Sequence, residues 1–464
     1  MHIGGLWRLF NSDEIFKYGL AVILIVIPLY PKFPILNIPG TYVAIRMEDF
    51  VLGILGILVI VSLFRDGIDN VLKNKLYLAM FLFILVGGLS LVSALLLTKT
   101  VAMNVALLHW IRRIEYIIPF LIAYKAIQKG GRAGYYLQIL AVVTLFAFLV
   151  GFLQRYFQFP IISTQNEEYS KGAALRWIPG ARLPSTFAGH YDLAAFLVLV
   201  FPIFIACLSI INKLKHKVAF FFLLLAPAYW LFLQTESRIS FGAYLIAISF
   251  MLIISRKKKY IVPFFILSMG GMIILSGLGV RYTRTLEIYK QRLIGQYNIS
   301  FPARAMAYEE QKLIAFEQLQ YQEPTVIPED RSVAIRTNVE WPRAIRAFLK
   351  NPLLGTGYSS LNLATDNDYL RMLGEVGIVG TLAFFLVLGR LIEGFGSYLR
   401  RASLSVESVF VTGFAGSLLG LLITATFIDA FEASKIAIIF WALAGIAYGI
   451  VNRGRVREEE AKND

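Results

Sequence analysis

The sequence predicts an all-α polytopic membrane protein with about twelve transmembrane helices and one large loop outside the membrane. Of its 464 residues, 57% are hydrophobic and only 16% are charged, and the mean hydropathy is +0.66. Soluble domains carry roughly 25% charged residues and space their apolar residues at a period of 3.6 or 2. Here the apolar residues form solid blocks with the charges between them, so we expect most of the chain to lie in lipid.

Twelve apolar segments are long enough, or nearly so, to cross a membrane as helices. A spanning helix needs about 20 apolar residues, because the hydrocarbon core is about 30 Å thick. The segments are 18–36, 48–64, 76–98, 102–124, 136–154, 190–212, 217–234, 238–255, 260–279, 377–395, 408–428 and 434–451. The first has no small-residue cleavage site, so we expect a retained helix rather than a removed signal peptide.

Basic residues concentrate in alternate loops between these segments. The loops rich in them contain Arg65, Lys73 and Lys75; Lys125, Lys129 and Arg132; Lys213, Lys215 and Lys217; Arg256, Lys257, Lys258 and Lys259; Arg390, Arg400 and Arg401; and Arg453, Arg455 and Arg457. By the positive-inside rule these loops are cytoplasmic, which places both termini in the cytoplasm. The net charge of +15 then reflects topology, and we expect no nucleic-acid partner.

Two longer segments, 155–189 and 280–376, are predicted to lie on the outer side. The larger one separates residues 1–279, with nine predicted spans, from residues 377–464, with three spans and a cytoplasmic tail. Long structured loops are usually functional. We therefore expect the function to depend on this extracytoplasmic loop.

Short helices are expected within the larger loop. Residues 303–319 have the pattern of an amphipathic helix. A second helix follows in RTNVEWPRAIRAFLKNP, where Thr337 and Glu340 have the spacing of a capping box and Asn351-Pro352 ends the helix.

A glycine-punctuated turn and a third short helix complete the loop. The turn, LLGTGYSS, has no Walker lysine, so we expect no nucleotide loop. The third helix is predicted to begin at a cap formed by Thr365 or Asp366 and to lead into the tenth span.

Arginines at the outer ends of apolar segments are candidates for binding phosphate. Arg182 precedes the sixth span, Arg238 begins the eighth, and Arg336 opens a loop helix; Arg112 and Arg113 lie within the fourth span. Charges are costly near hydrocarbon, and guanidinium groups bind phosphate through paired N–H bonds. Together these side chains could form a diphosphate clamp that faces outward.

A structural interpretation competes with this one. Arg182 and Arg238 could extend to lipid headgroups, and Arg113 could pair with Glu115 or another carboxylate inside the bundle. The pattern favours the structural interpretation for Arg112 and Arg113.

Carboxylates near the third loop helix are candidates for a general base. Asp366 and Asp368 lie in DNDYL, and Glu375 follows further along. A carboxylate in reach of a reacting hydroxyl can accept its proton, although a helix cap explains Asp366 equally well.

Histidine and cysteine give weaker signals. The four histidines (His2, His109, His190 and His216) do not have the spacing of zinc ligands. The single cysteine, Cys207, lies inside an apolar segment, so no thiolate metal site is predicted. His190, at the outer membrane face, is a possible substrate contact, with an interfacial cap as the alternative. We expect no metal and no cofactor.

Several motifs in order resemble those of the O-antigen ligase and O-antigen polymerase family of bacterial membrane glycan transferases. They are RLPSTFAGHYDLA, TESRISFGA, and the run from RTNVEWPRAIRAFLKNPLLGTGY through DNDYLRMLGEVGIVG into the next span. The last run is the most specific. The motifs span about the C-terminal two-thirds of the chain, and the twelve-span layout extends the resemblance over the rest.

The resemblance implies a metal-independent transferase of the bacterial inner (plasma) membrane. Its donor would be a polyprenyl-diphosphate-linked oligosaccharide, and its other partners would be a glycan acceptor, membrane lipid and a possible chain-length regulator. Arg182, Arg238 and Arg336 would hold the diphosphate, and Tyr369 of the N-x-Y-L motif is a possible substrate contact. Asp366 occupies the position where the ligase branch has a histidine treated as general base. This departure favours a polymerase with Asp366 as the base.

Three alternatives remain open. One is ligation of the glycan to a lipid or protein acceptor. Another is a transporter or flippase for lipid-linked glycans, which would have two similar halves and a site near the bilayer midplane; the distinctive sequence here lies in one external loop. The third is a scaffolding membrane protein, which would leave the arginines and Asp366 without a task.

Overall fold

The computed structural model describes residues 14–31, 34–37, 44–65, 73–161, 176–277, 335–361 and 364–463, together with residues 279, 282, 283 and 290. The amphipathic helix predicted at 303–319 lies outside these residues.

The described part of the chain is almost entirely helical. The helices are α1 (Glu14–Leu29), α2 (Met47–Arg65), α3 (Lys75–Ser93, continued by a π-helical turn at Ala94–Thr98), α4 (Met103–Gln128), α5 (Ala133–Tyr156), α6 (His190–Cys207), α7 (Leu214–Gln234, with a π-helical turn at Phe221–Leu225), α8 (Arg238–Ile254), α9 (Ile261–Leu275), α10 (Trp341–Lys350, preceded by a π-helical turn at Arg336–Glu340), α11 (Asp368–Ile392), α12 (Phe395–Arg401), α13 (Val406–Thr424) and α14 (Ser434–Asn463). Within the described ranges, nine helical segments are long and apolar enough to cross a membrane. The chain is therefore a multi-pass helical membrane protein.

Three further predicted spans coincide with helices that are shorter or more polar than an isolated span. Helices α1 and α8 have 16 and 17 residues. Helix α4 has 26 residues but carries Arg112, Arg113 and Glu115 near its middle. Charges inside a bundle need partners, and those of α4 are described below.

A short β-hairpin replaces the predicted end of the first span. The sequence predicts a helix over 18–36, but α1 ends at Leu29, and β1 (Pro34–Asn37) pairs antiparallel with β2 (Ala44–Arg46). Tyr30 and then Pro31 follow the helix end, and the residue before a proline is biased away from helical geometry by clashes with the proline ring.

The core of the bundle consists of helices in close backbone contact. Helix α14 packs along α4, and α13 packs along α6 and α8. A Cβ atom at Gly445 would overlap the carbonyl of Phe120 on α4, and one at Gly413 would overlap the backbone of Ile203 on α6. Small residues at such contacts let membrane helices approach closely, which gains van der Waals contact that lipid does not otherwise provide.

Helix α11 is broken at Gly377, where φ is +66°. The turn at 351–357 fills this break with hydrogen bonds. They run from Thr356 N–H to Gly374 O (2.9 Å), from Gly357 N–H to Glu375 O (2.8 Å) and from Ile378 N–H to Pro352 O (2.9 Å). Buried backbone polar groups need partners in a membrane protein. The glycine-rich turn and the glycines after Glu375 therefore form one structural unit.

The break predicts that Gly377→Ala destabilises the fold. A left-handed φ costs a non-glycine residue about 1–2 kcal/mol, and a Cβ at this position would also overlap the backbone at Leu353. We expect a lower thermal unfolding temperature in detergent. Gly389→Ala on the same helix is the control, because a Cβ there meets nothing within 4 Å and alanine favours a helix by about 0.5–1 kcal/mol. Equal unfolding temperatures for the two variants would contradict this account.

Candidate functional site

Four segments of the chain meet at one end of the bundle. They are the segment 176–190 before α6, the start of α10 with its π-helical turn, the loop 364–367 before α11, and the segment 425–433 between α13 and α14. Three of the sequence-predicted residues, Arg182, Arg336 and Asp366, belong to three different segments of this group. Their contacts define the candidate site.

Arg336 and Asp366 form an ion pair. Arg336 Nε donates to Asp366 Oδ2 at 3.0 Å, and a second guanidinium nitrogen lies 2.7 Å from the same oxygen. The Arg336 side chain is buried and that of Asp366 is 28% exposed. Asp366 has a φ of +48°, a conformation that short polar residues tolerate better than most others. The loop is thus bent so that this carboxylate meets the guanidinium.

The sequence-predicted helix caps in this region are wrong. The side chain of Asn367 caps α11 by accepting from Leu370 N–H at 2.9 Å, and neither Thr365 nor Asp366 does so. The expected capping box of Thr337 and Glu340 is replaced by the π-helical turn. Both predictions are wrong for the same reason: each helix begins at a different residue from the one that the local spacing indicates.

Tyr191 joins the two arginines of the site. Arg182 lies 3.5 Å from the Tyr191 hydroxyl and 5.8 Å above its ring, and Arg336 also forms a hydrogen bond with Tyr191. Arg182 is 2.7 Å from His190 Nε2. Two guanidinium groups therefore converge on one phenol oxygen, and sequence-predicted His190 lies beside them.

Backbone contacts place Arg238 at the same end of the bundle as this cluster. Leu183 N–H donates to Gln234 O at 3.1 Å, so the segment that carries Arg182 runs along the end of α7, four residues before Arg238. The Arg238 carbonyl accepts from the Tyr282 hydroxyl at 2.7 Å. Arg238 thus begins α8 at the same end of the bundle as Arg182.

Asp429 holds the loop that carries Asp366. Its carboxylate accepts from Thr365 N–H at 2.9 Å and from Asn367 N–H at 3.2 Å, the two residues on either side of Asp366. The same carboxylate accepts from Arg371 on α11 at 2.9 Å. Because both neighbours of Asp366 are bound to a single carboxylate, the position of Asp366 is set by Asp429.

A network of buried charges continues inward from Arg371. Arg371 lies 3.5 Å from Glu375 and 3.6 Å from Glu432, and Glu432 also pairs with Arg113 on α4. A cavity of about 40 Å³ adjoins Arg113, Glu375 and Glu432, which is room for a water molecule. The network compensates the charges that would otherwise be costly inside the bundle.

The charge balance at the site affects Asp366 and Glu432 differently. Burial raises the pKa of Asp366, and Asp429 adds to this, although Arg336 opposes both. Burial also acts to raise the pKa of Glu432, but Arg113 and Arg371 outweigh it and lower that pKa.

The remaining predicted residues lie outside the arginine cluster. Arg112 pairs with Asp49 at 3.0 Å, and the ion pair of Arg113 with Glu432 matches the structural alternative that the sequence left open. The Tyr369 hydroxyl donates to Leu422 O at 2.7 Å, and its ring stacks on Phe385. These contacts explain all three residues through packing within the bundle.

Several residues of the site were not found from the sequence. Lys435 is fully buried and donates to three carbonyls, those of Pro28, Tyr30 and Thr186, which fixes the segment after Arg182. The signal for Lys435, Asp429 and Glu432 was present in FIDAFEASK, where three charges follow an apolar segment. The signals for Tyr191 and Arg371 were absent, since their partners are distant in sequence.

Asp429→Ala should destabilise the protein by about 3 kcal/mol, because it removes the nearest of the three carboxylates around Arg371 and leaves two backbone amides without an acceptor. Thermal unfolding of the full chain in detergent measures this. Glu393→Gln, which removes an exposed ion pair with Arg390, is the matched control and should have little effect. An unfolding temperature for Asp429→Ala equal to that of the control would disprove the structural role of the Asp429 carboxylate.

Comparison with known proteins supports the resemblance inferred from the motifs. No curated protein is significantly similar to the chain. A protein-family model described as O-antigen ligase matches residues 219–385, which is 167 of the 464 residues. The match contains Arg238, Arg336 and Asp366, and it ends before Asp429. Residues 219–385 are thus similar to the O-antigen ligase family, which supports the resemblance to membrane glycan enzymes that the motifs indicate.

Proposed function

We propose that the protein transfers a glycan from a polyprenyl-diphosphate carrier to an acceptor sugar at the outer face of the bacterial plasma membrane. The observation that carries this proposal is the convergence of Arg182 and Arg336 on Tyr191, with Asp366 beside them. Two guanidinium groups at one point match the charge and geometry of a diphosphate. Arg238, at the same end of the bundle, adds a third positive charge.

The chemistry follows from this arrangement. An acceptor hydroxyl attacks the anomeric carbon of the donor sugar, the bond from that carbon to the diphosphate oxygen breaks, and the electron pair leaves with the diphosphate. The arginines stabilise the charge that develops on the leaving group. A nearby carboxylate takes the hydroxyl proton, and Asp366 is the candidate that the sequence offers. The donor itself carries the activated sugar, so the proposal needs no nucleotide sugar and no metal.

We infer a topology of twelve spans, with both termini in the cytoplasm and the loop between α9 and α11 outside. The basic loops support this orientation. Contacts among the predicted outer ends agree with it. The Lys435 ammonium at the start of α14 binds carbonyls at the end of α1 and in the segment before α6, and Asp368 N–H at the start of α11 donates to Ala425 O after α13.

Polymerisation is the reaction that we favour over ligation. The predicted base position holds Asp366, whereas a histidine at that position would favour ligation to a final acceptor. The acceptor would then be a second lipid-linked glycan, and a chain-length regulator is a plausible partner. Transport is the second candidate function, but the arginine cluster lies at one end of the bundle rather than at its middle, which favours an enzyme.

Replacement of the clamp arginines by lysine tests the proposal. Arg182→Lys and Arg336→Lys keep the charge but lose the paired N–H geometry, and we expect each to slow transfer by about 10²-fold or more. The measurement is release of polyprenyl diphosphate from lipid-linked oligosaccharide, extracted from the native host, by the full chain in proteoliposomes. Arg346→Lys, an exposed arginine on α10, is the control. Clamp variants as active as the Arg346 variant would refute the diphosphate clamp.

Deletion of the gene in its host distinguishes polymerase from ligase. Loss of a polymerase should leave single repeat units on the final acceptor, whereas loss of a ligase should leave full-length polymer on the lipid carrier. Glycan analysis by electrophoresis and mass spectrometry separates the two products. Unchanged glycan with carrier-linked repeats retained on the cytoplasmic side would indicate a transporter instead.

A further inference from the structure

The beginning of α10 places a second carboxylate beside the arginine cluster. Glu340 ends the π-helical turn that Arg336 begins, and Trp341 starts the regular helix. Arg343, one turn on, donates to Ala364 O at 2.8 Å. The Arg336 ion pair holds the π-helical turn against the loop of Asp366, and Arg343 holds the first turn of α10 against the same loop.

Four buried polar atoms in these two segments form no hydrogen bond with any described residue. They are Glu340 Oε2, Trp341 Nε1, Arg343 Nε and Thr365 Oγ1. Buried polar groups in folded proteins are nearly always paired, so unpartnered atoms on two segments that contact each other indicate a bound polar ligand or water. The set contains a carboxylate acceptor, two N–H donors and a hydroxyl, which is the complement of a sugar with several hydroxyl groups.

The charges that face Glu340 come from both segments and from Asp429. The pKa of Glu340 is raised to about 7, mainly by burial and also by the charges of Asp366 and Asp429, whereas Arg336 and Arg343 oppose the increase. A proton acceptor works best when its pKa is near the pH at which the enzyme operates.

We infer that residues 340–343 and Thr365 form the subsite for the acceptor sugar, and that Glu340 takes the proton from the attacking hydroxyl. This assignment rests on the proposed function. The hydroxyl O–H bond breaks as its oxygen bonds to the anomeric carbon, the proton moves to Glu340 Oε2, and it later passes to water. Asp366 then serves as the partner that orients Arg336, because its Oδ2 atom already accepts two N–H groups of that arginine.

The test compares pH profiles in the proteoliposome assay with lipid-linked oligosaccharide extracted from the native host. The wild-type rate should rise with pH through about 7 as Glu340 loses its proton and becomes able to act as a base. Glu340→Gln should lose about 10²-fold or more in kcat and should lack this rise. Glu340→Asp should retain a rise with a shifted midpoint. Glu407→Gln, at the opposite end of α13 from Asp429, is the matched control and should behave as wild type.

Two conservative variants test the subsite separately. Trp341→Phe removes the indole N–H and keeps an aromatic ring, and Thr365→Val removes the hydroxyl and keeps the shape of the side chain. Each should raise the apparent KM by about 2- to 10-fold and leave the pH dependence intact. An unchanged KM in both would overturn the subsite.

The outcome also separates this inference from the function on which it rests. A full rate with an unchanged pH profile in Glu340→Gln, together with a slow Arg336→Lys variant, would overturn the role of Glu340 alone. If Asp366→Asn rather than Glu340→Gln abolishes the pH-dependent rise, Asp366 is the base and the inference fails. Absence of any transfer by the wild-type chain would instead overturn the proposed function.

Discussion

The candidate site depends on the carboxylate of Asp429. It accepts from the amides on both sides of Asp366 and from Arg371, so one side chain connects the loop, α11 and the segment before α14. Hydrogen bonds to a charged group are about twice as strong as neutral ones, and they are stronger still where little water competes. The position of Asp366, and with it that of Arg336, follows from this connection. The buried network from Arg371 to Glu432 and Arg113 ties the same point to the middle of the bundle.

The most specific sequence motifs serve the scaffold more than the chemistry. NPLLGTG and EVGIVG are the two halves of the break in α11, where the amides and carbonyls of the turn replace the missing helical bonds. Glycine is required because Gly355, Gly357 and Gly377 all have positive φ and backbone atoms or a side chain where a Cβ would be. A break of this kind lets α11 begin near Asp429 and then turn into the bundle. The residues of these motifs thus position the site rather than line it.

The sequence predicted the helices well because their signal is local, and it predicted the site only in part. Apolar blocks located the nine long apolar helices of the described chain, most of them to within a few residues at each end. The cost of charge near hydrocarbon selected Arg182 and Arg336, and the search for a general base selected Asp366; the structure brings these three residues together. The β-hairpin after α1 was missed because an apolar run with prolines does not distinguish strand from helix. Tyr191 and Arg371 were missed because their roles come from residues far away in sequence, and one sequence alone carries no record of such contacts. Asp429 lies in a visible run of charges, but its partners also lie far away in sequence.

Asp366 neutralises part of the positive charge of Arg336, yet the geometry still allows Arg336 to bind a phosphate. A guanidinium has five N–H donors; Arg336 uses two on Asp366 and shares another contact with Tyr191, which leaves donors on its other edge for a phosphate oxygen. The ion pair also fixes the plane of the guanidinium before the substrate arrives, so less conformational freedom is lost on binding. Asp366 and Glu340 can therefore have separate tasks a few residues apart. Asp366, already paired with an arginine, orients the clamp. Glu340 has an oxygen that no described residue binds and a pKa of about 7, an affinity for protons suited to the acceptor hydroxyl.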